Sequence, residues 1–531
     1  MPFFSSAAIL PASSSALNFG AHFGQQKPIV WPLKLAVPPS AVMGSPPIGQ
    51  LALTGLAAVE AAAGAAATAP VALDAPDTDF AGAAAGSLLQ ACEPASRAAV
   101  TISMILVIAR SSGTRLKTRM RSGPSRLAPG APEHTDFGTH WAVKCAVVTS
   151  TSPDLDASID GLCDQLAAEL AGRPVDLLMA FFTPHHTDDA GTLRERLLSR
   201  LKPRVLLGGP AESVIGGADE IEGRVGLALW GAHWPGSELV PFELTVQERD
   251  DEVDLLGWPD DAPEGAGFLV LADPFTTPGD ALLDGFAKRW PGAPVVGGMA
   301  SGHHGSGQAV FLTNDGLHDS GCVGVAIGGS VRLDPVVSQG CRPIGKHYVI
   351  TKAQQNVILA LGGKPALAQL RGVFGEVETR DQQLMQTALH VGRVIDERKS
   401  AFERGDLLVR NVLGIDTKNE AIAINDFVRP GQTIQFMVRD AAAAGEDLST
   451  LLGAEASRGP VLGAMLFSCN GRGKRFFGMP NHDIDGLHKG IGDVPTAGFF
   501  ANGEIGPVGG HPFLHGFTAS IALFRERKPT G

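Results

Sequence analysis

From Trp141 to Gly209, apolar runs of strand length alternate with amphipathic segments, and this alternation constrains the fold more than any other feature. Trp141–Thr149 reads as a strand, Leu155–Leu170 as a helix and Val175–Phe182 as a strand. Thr192–Leu201 then reads as a helix, and Arg204–Leu207 as a strand running into Gly208-Gly209. This order favours partly parallel pairing with helices packed on a sheet face. Extended runs follow at Val225–Leu229, Leu239–Val246 and Phe268–Asp273, then a helix at Ala281–Arg289, and Pro294-Val295-Val296 leads into Gly297-Gly298. Ala309–Thr313, Cys322–Ile327, Val331–Val337 and Tyr348–Ala353 are joined by short links and read as an antiparallel meander.

Val357–Leu361 and a helix from Pro365 lead to a polar connector over Thr379–Glu403, read as helical. A second set opens at Leu407, with strands Leu407–Leu413, Ala421–Ile424 and Thr433–Val438 and a helix at Gly445–Leu452. Strands Val461–Phe467, Thr496–Phe500 and Phe517–Leu523 close it. The expected class is α/β (α+β): two linked domains with mixed β-sheets flanked by helices, preceded by a disordered N-terminal extension. The expected boundaries are 1–138 for the extension, 139–375 for the first domain, 376–406 for the connector and 407–527 for the second domain.

The extension is rich in Ala, Ser, Pro and Gly. No acidic residue precedes Glu60, and residues 1–132 hold nine basic against five acidic side chains, a net of +4 that leaves −16 for the rest. A hydroxylated, acid-poor, basic start has the composition of an organelle transit peptide, and its Ser-rich character points to the chloroplast. A disordered extension without an address, or a true start near Met104, is the alternative. The apolar run Ala98–Ala109 is too short for a membrane span.

Two stretches near the end carry the functional signal. Val461–Phe467 stops at Ser468-Cys469-Asn470-Gly471-Arg472-Gly473, and Thr496–Phe500 runs into Ala501-Asn502-Gly503-Glu504. Glycine-bounded strand ends are where ligands approach a backbone, and the opposite charges of Arg472 and Glu504 suit a small zwitterion. Arg472 is the candidate fork for a carboxylate and Glu504 the candidate for an ammonium, with Asn470 or Asn502 orienting the ligand. Gly471, Gly473 and Cys469 belong to the same loop, and Arg342 in Cys341-Arg342-Pro343 is a second anion candidate. Each charge has a plainer alternative: Arg472 and Glu504 could pair with each other or with loop groups.

These stretches resemble the FIST family (F-box and intracellular signal transduction). Gly208-Gly209 with Glu220-Ile221-Glu222, Gly297–Gly302 and Ser338–Gly345 look like its N-terminal domain. Ser468–Gly473 and Gly503–Pro507 look like its C-terminal domain. The resemblance implies a sensory, small-ligand-binding module, with amino acids as the ligands proposed for the family. Some eukaryotic relatives carry an F-box that recruits a ubiquitin ligase. This sequence shows neither an F-box pattern nor a kinase, cyclase or chemoreceptor segment, so the implied protein is a sensor pair with an unassigned output.

A charge of −12 without a basic stripe argues against nucleic-acid binding. Six cysteines without a C-x-x-C pair suggest neither a disulfide scaffold nor a zinc site, and no metal or cofactor is expected. The bare pairs His185-His186 and His303-His304 read as solvated loop residues. A hydrolase using Cys469, or Glu504 with a histidine, needs a base in reach, and no such constellation stands at fixed spacing. An adaptor holding a protein partner is the other alternative.

Overall fold

The computed structural model describes residues 143–249 and 252–527. The extension 1–138, with its transit-peptide reading, the run Ala98–Ala109 and the start near Met104, lies outside the described residues.

The class is mixed α/β, with helices flanking mixed sheets, as the pattern implied. Among the described residues there are four sheets. Three β-α-β units supply parallel pairs. Leu177–Phe182 crosses through helix Ala190–Leu201 to Val205–Pro210, and Gly267–Ala272 crosses through helix Gly279–Arg289 to Val295–Met299. Gly463–Cys469 crosses through helices Lys474–Phe477 and His482–Ile491 to Thr496–Ala501. In each unit a glycine of the second strand abuts a carbonyl of the first. A Cβ on Gly208, Gly297 or Gly498 would stand 2.5, 1.9 or 1.8 Å from the oxygen of Ala180, Val270 or Leu466. Close parallel packing therefore explains the glycine pairs noted in the sequence.

The four segments read as a meander do not pair with one another. Phe311–Thr313 joins the first sheet beside Val205–Pro210, and Cys322–Gly329 joins the second beside Gly267–Ala272. Val331–Gln339 edges the third against Thr518–Glu526, and Cys341–Gln354 enters the fourth against Thr433–Arg439. Short links between extended runs set strand formation but not partner choice, because apolar faces on other sheets compete for each strand. The connector is also only partly helical. Helix Thr379–Thr387 gives way to Leu389–Val394, which lies inside the fourth sheet between Thr433–Arg439 and Leu407–Asp416. That sheet is antiparallel, and Cys341–Gln354 also pairs with Val357–Leu361, so it closes on itself around Tyr348, Ile350, Phe436 and their neighbours.

Strands from distant parts of the chain share sheets. Val214–Gly216 pairs with Thr496–Ala501, and Glu504–Val508 pairs with Val295–Met299. One buried cluster joins side chains of the first three sheets, with Phe181 against Phe499 (5.2 Å between ring centroids) and Trp234 against Phe524 (4.9 Å). Burial of several large aromatics holds these layers in fixed relation. The carboxyl ends of strands 267–272, 295–299, 463–469 and 496–501 open toward one hollow.

Candidate functional site

Ligands of open α/β sheets bind beyond the carboxyl ends of the strands. A cavity of about 1850 Å³ lies there, lined among others by Met299, Cys469, Asn470, Asn502, Gly503 and Glu504. Its opposite wall comes from the closed sheet, through Arg410, Asp426 and Arg439, and from Ala441 at the start of helix Ala441–Ala456.

Of the eight residues singled out in the sequence, six line this cavity: Cys469, Asn470, Gly471, Arg472, Asn502 and Glu504. Arg342 and Gly473 are not among its lining. Arg342 donates from Nε to Asp440 Oδ2 (2.8 Å), and its two Nη nitrogens face Asp381. Its guanidinium thus braces Asp440, which caps helix Ala441–Ala456 by accepting from Ala442 N (3.1 Å). Gly473 has a left-handed φ of 74° and precedes the short helix Lys474–Phe477. A Cβ there would meet the Glu222 carboxylate at 2.4 Å.

Arg472 is 2% exposed, and its fork is closed on Asp483: Nε and Nη2 each donate to a carboxylate oxygen at 2.7 Å. The fork offered to a carboxylate ligand is therefore already filled from the protein. Only Nη1 points elsewhere, 3.4 Å from Phe517 O. Burial by itself would raise the Asp483 carboxyl, but the Arg472 charge and bonds from Arg472, His482 and Ser468 outweigh it and hold Asp483 well below the usual carboxylate range. Asp483 opens helix His482–Ile491, which the sequence reading missed. Glu220 Oε1 accepts the Asp483 and Ile484 N–H groups at 2.8 and 3.0 Å. Burial, then the Asp483 charge, push Glu220 up to about 8.

Glu504 does not pair with Arg472. It is fully buried, and its Oε2 accepts from Thr518 N (3.0 Å) and Thr518 Oγ1 (2.8 Å). Its Oε1 is buried and makes no close hydrogen bond, with the Cys469 thiol beside the carboxyl, and Asn470 Oδ1 is likewise buried without a partner. Burial pushes the Glu504 carboxyl up to about 8 against the opposing Thr518 bonds, so it holds its proton at neutral pH. Burial, then the nearby Glu504, push the Cys469 thiol far up, and a thiol so placed stays protonated and unreactive.

Among the described residues no group of three or more His, Cys, Asp or Glu side chains could hold a metal ion, and no helix is long and apolar enough to cross a membrane. The histidine pairs are not uniformly solvated. His185 and His304 are exposed, whereas His186 is buried and His303 Nε2 lies 2.9 Å from the buried Asp273.

Sequence reasoning also missed Arg439. It ends strand Thr433–Arg439, so an arginine closing an apolar run was the same signal that drew attention to Arg472. Its guanidinium carbon lies 4.8 Å from the Phe476 ring centroid and 4.9 Å from that of Phe517. Gly471 makes room for this arrangement, since a Cβ there would meet the Phe517 ring at 2.7 Å.

Residues 176–364 match the FIST N domain and residues 366–507 the FIST C domain. Uncharacterized protein Rv0628c of Mycobacterium tuberculosis (strain H37Rv) is 38% identical over 384 residues, which is 72% of this chain and 100% of that protein. Uncharacterized protein Mb0898c of Mycobacterium bovis is 37% identical over 384 residues, 72% of this chain and 99% of that protein.

Proposed function

The chain belongs to the FIST family, whose domains are associated with signal transduction and ligand sensing, and on that premise we propose that it is a sensor of a small, amino-acid-like metabolite bound in the cavity at the strand ends. The observation that carries this reading is a pair of buried polar atoms, Asn470 Oδ1 and Glu504 Oε1, that form no hydrogen bond to the protein beside one large hollow. Unpaired buried polar atoms are costly, and a ligand that satisfies them recovers that cost on binding.

An ammonium brought against Glu504 draws the carboxyl toward its ionised form, and Asn470 and Asn502 orient the rest of the ligand. Arg472, fixed on Asp483, shapes the 470–473 loop. Because strands of both family domains line the hollow, occupancy can bias their arrangement and so report to a partner.

Calorimetric titration of the full chain with the common amino acids tests this, with Asn502→Trp as a cavity-filling control. The expected outcome is binding by the wild type that Asn502→Trp abolishes. Heat from none of the ligands, or equal binding by both proteins, would refute the reading. We further propose import into the chloroplast, supported by the composition of residues 1–138. A fluorescent fusion of residues 1–135 that stays in the cytosol would end that proposal.

A further inference from the structure

Five arginines line the cavity, and their partners separate them. Arg472 is closed on Asp483. Arg380 Nη2 donates to Asp440 Oδ1 (2.9 Å), and Arg410 Nε donates to Asp426 Oδ2 (3.0 Å). The carboxylates are matched in turn: Asp440 also receives Arg342, and Asp426 also receives Arg393 at 2.9 Å. Arg439 and Arg475 have no carboxylate partner among the described residues. Arg475 is exposed on the rim, where water solvates it. Arg439 is only partly exposed, and among the described residues its guanidinium makes a single long hydrogen bond, from Nη1 to Gly471 O (3.4 Å).

The surroundings of Arg439 are built to hold it in this state. The guanidinium lies 4.8 and 4.9 Å from two phenyl ring centroids, Phe476 and Phe517, which attract it through their quadrupoles but accept no strong hydrogen bond. The donors left over lie in the plane of the group, at its edge. Phe517 takes a left-handed φ of 61°, a strained conformation for an aromatic residue, and is held there by Gly340 N donating to its carbonyl (2.8 Å) and by the nearby Arg472 Nη1. Strain retained beside an unpaired, desolvated cation points to a task for that cation. The neighbouring Glu504 brings no compensating charge at neutral pH because it holds its proton.

We propose that Arg439 is the anion subsite of this cavity, and that its ring-flanked edge receives a planar carboxylate of the ligand by a two-pronged contact. This rests on the cavity being the ligand site and adds which residue selects the ligand and by which group. A guanidinium edge matches the two oxygens of a carboxylate in plane, and that planar two-pronged match favours a carboxylate head over a tetrahedral phosphate.

The test compares acids with their amides in calorimetry on the full chain: L-leucine with L-leucinamide, L-glutamine with L-glutaminamide, and succinate with succinamide, with inorganic phosphate as a separate arm. In the wild type an acid is expected to bind more tightly than its amide on the order of 100-fold, and Arg439→Gln should erase that difference. Arg439→Lys keeps the charge without the fork and should retain about a tenth of the acid affinity. Its thermal midpoint shows whether any loss reflects folding. Acids and amides binding alike to the wild type, an unaltered acid preference in Arg439→Gln, or phosphate binding better than every carboxylate would overturn the assignment while leaving the cavity reading intact. Failure of every probe and of every amino acid to bind the wild type would overturn both.

Discussion

Replacing Glu504 by glutamine should change how stability depends on pH. The carboxyl is buried, Oε2 accepts two bonds from Thr518, and burial pushes the native group from its ordinary value of about 4.5 up to about 8. Below about pH 4.5 the native and unfolded chains both hold this proton. Between there and about pH 8 the unfolded chain releases it and the native chain does not, so native stability falls as pH rises and levels off above about 8. Each unit of this window is worth about 1.4 kcal/mol, so a rise from about pH 5 to about pH 8 should cost the wild type about 4 kcal/mol through this one group. Glutamine keeps the acceptor for Thr518 and removes the titration. The stability of Glu504→Gln relative to the wild type should therefore rise by about 4 kcal/mol over the same range. Equilibrium urea unfolding of both proteins at intervals across that range measures the difference directly. Glu220, also shifted to about 8, contributes equally to both proteins and cancels. Parallel stability curves for the two proteins would refute the view of Glu504 as a buried group that keeps its proton.

Asp483→Asn should leave Arg472 charged and unpaired under a packed layer, lowering stability by about 3–5 kcal/mol in urea unfolding. A loss below about 1 kcal/mol would mean that water reaches the pair. Gly498→Ala places a Cβ at 1.8 Å from Leu466 O and should cost at least about 3 kcal/mol. Gly453→Ala, in helix Ala441–Ala456 with nothing within 4 Å of the added carbon, should stabilise by about 0.5–1 kcal/mol. Thermal midpoints moving in the same direction for both alanines would contradict the packing described for the parallel strands.

The local elements were largely legible. The pattern predicts a helix over Leu155–Leu170 and a strand over Val175–Phe182, and the observed elements are Leu155–Glu169 and Leu177–Phe182, because burial of one face imprints its period on the residues themselves. The strand Leu389–Val394 is not legible, since His390, Gly392 and Arg393 interrupt its apolar residues and its place in the closed sheet depends on neighbours from both sides. Helix His482–Ile491 was also missed: its N-terminus is organised by Glu220, more than 250 residues earlier, through contacts that no local window contains.

By itself the sequence determined where strands stop in glycine, and therefore that Cys469–Arg472 and Asn502–Glu504 stand as candidate ligand contacts. Tertiary structure alone decided how the charges there are used. Asp483 and Arg472 are close enough in sequence to have been considered together, yet only the return of helix His482–Ile491 beneath the loop closes the fork. Arg439 ends a strand of the fourth sheet and Phe517 lies in the bend between strands His511–His515 and Thr518–Glu526, so the two meet only after folding, which leaves a cation at the cavity beside two rings. Hydrophobic period is a property of neighbouring residues, whereas the pairing of a charge depends on every element that packs around it.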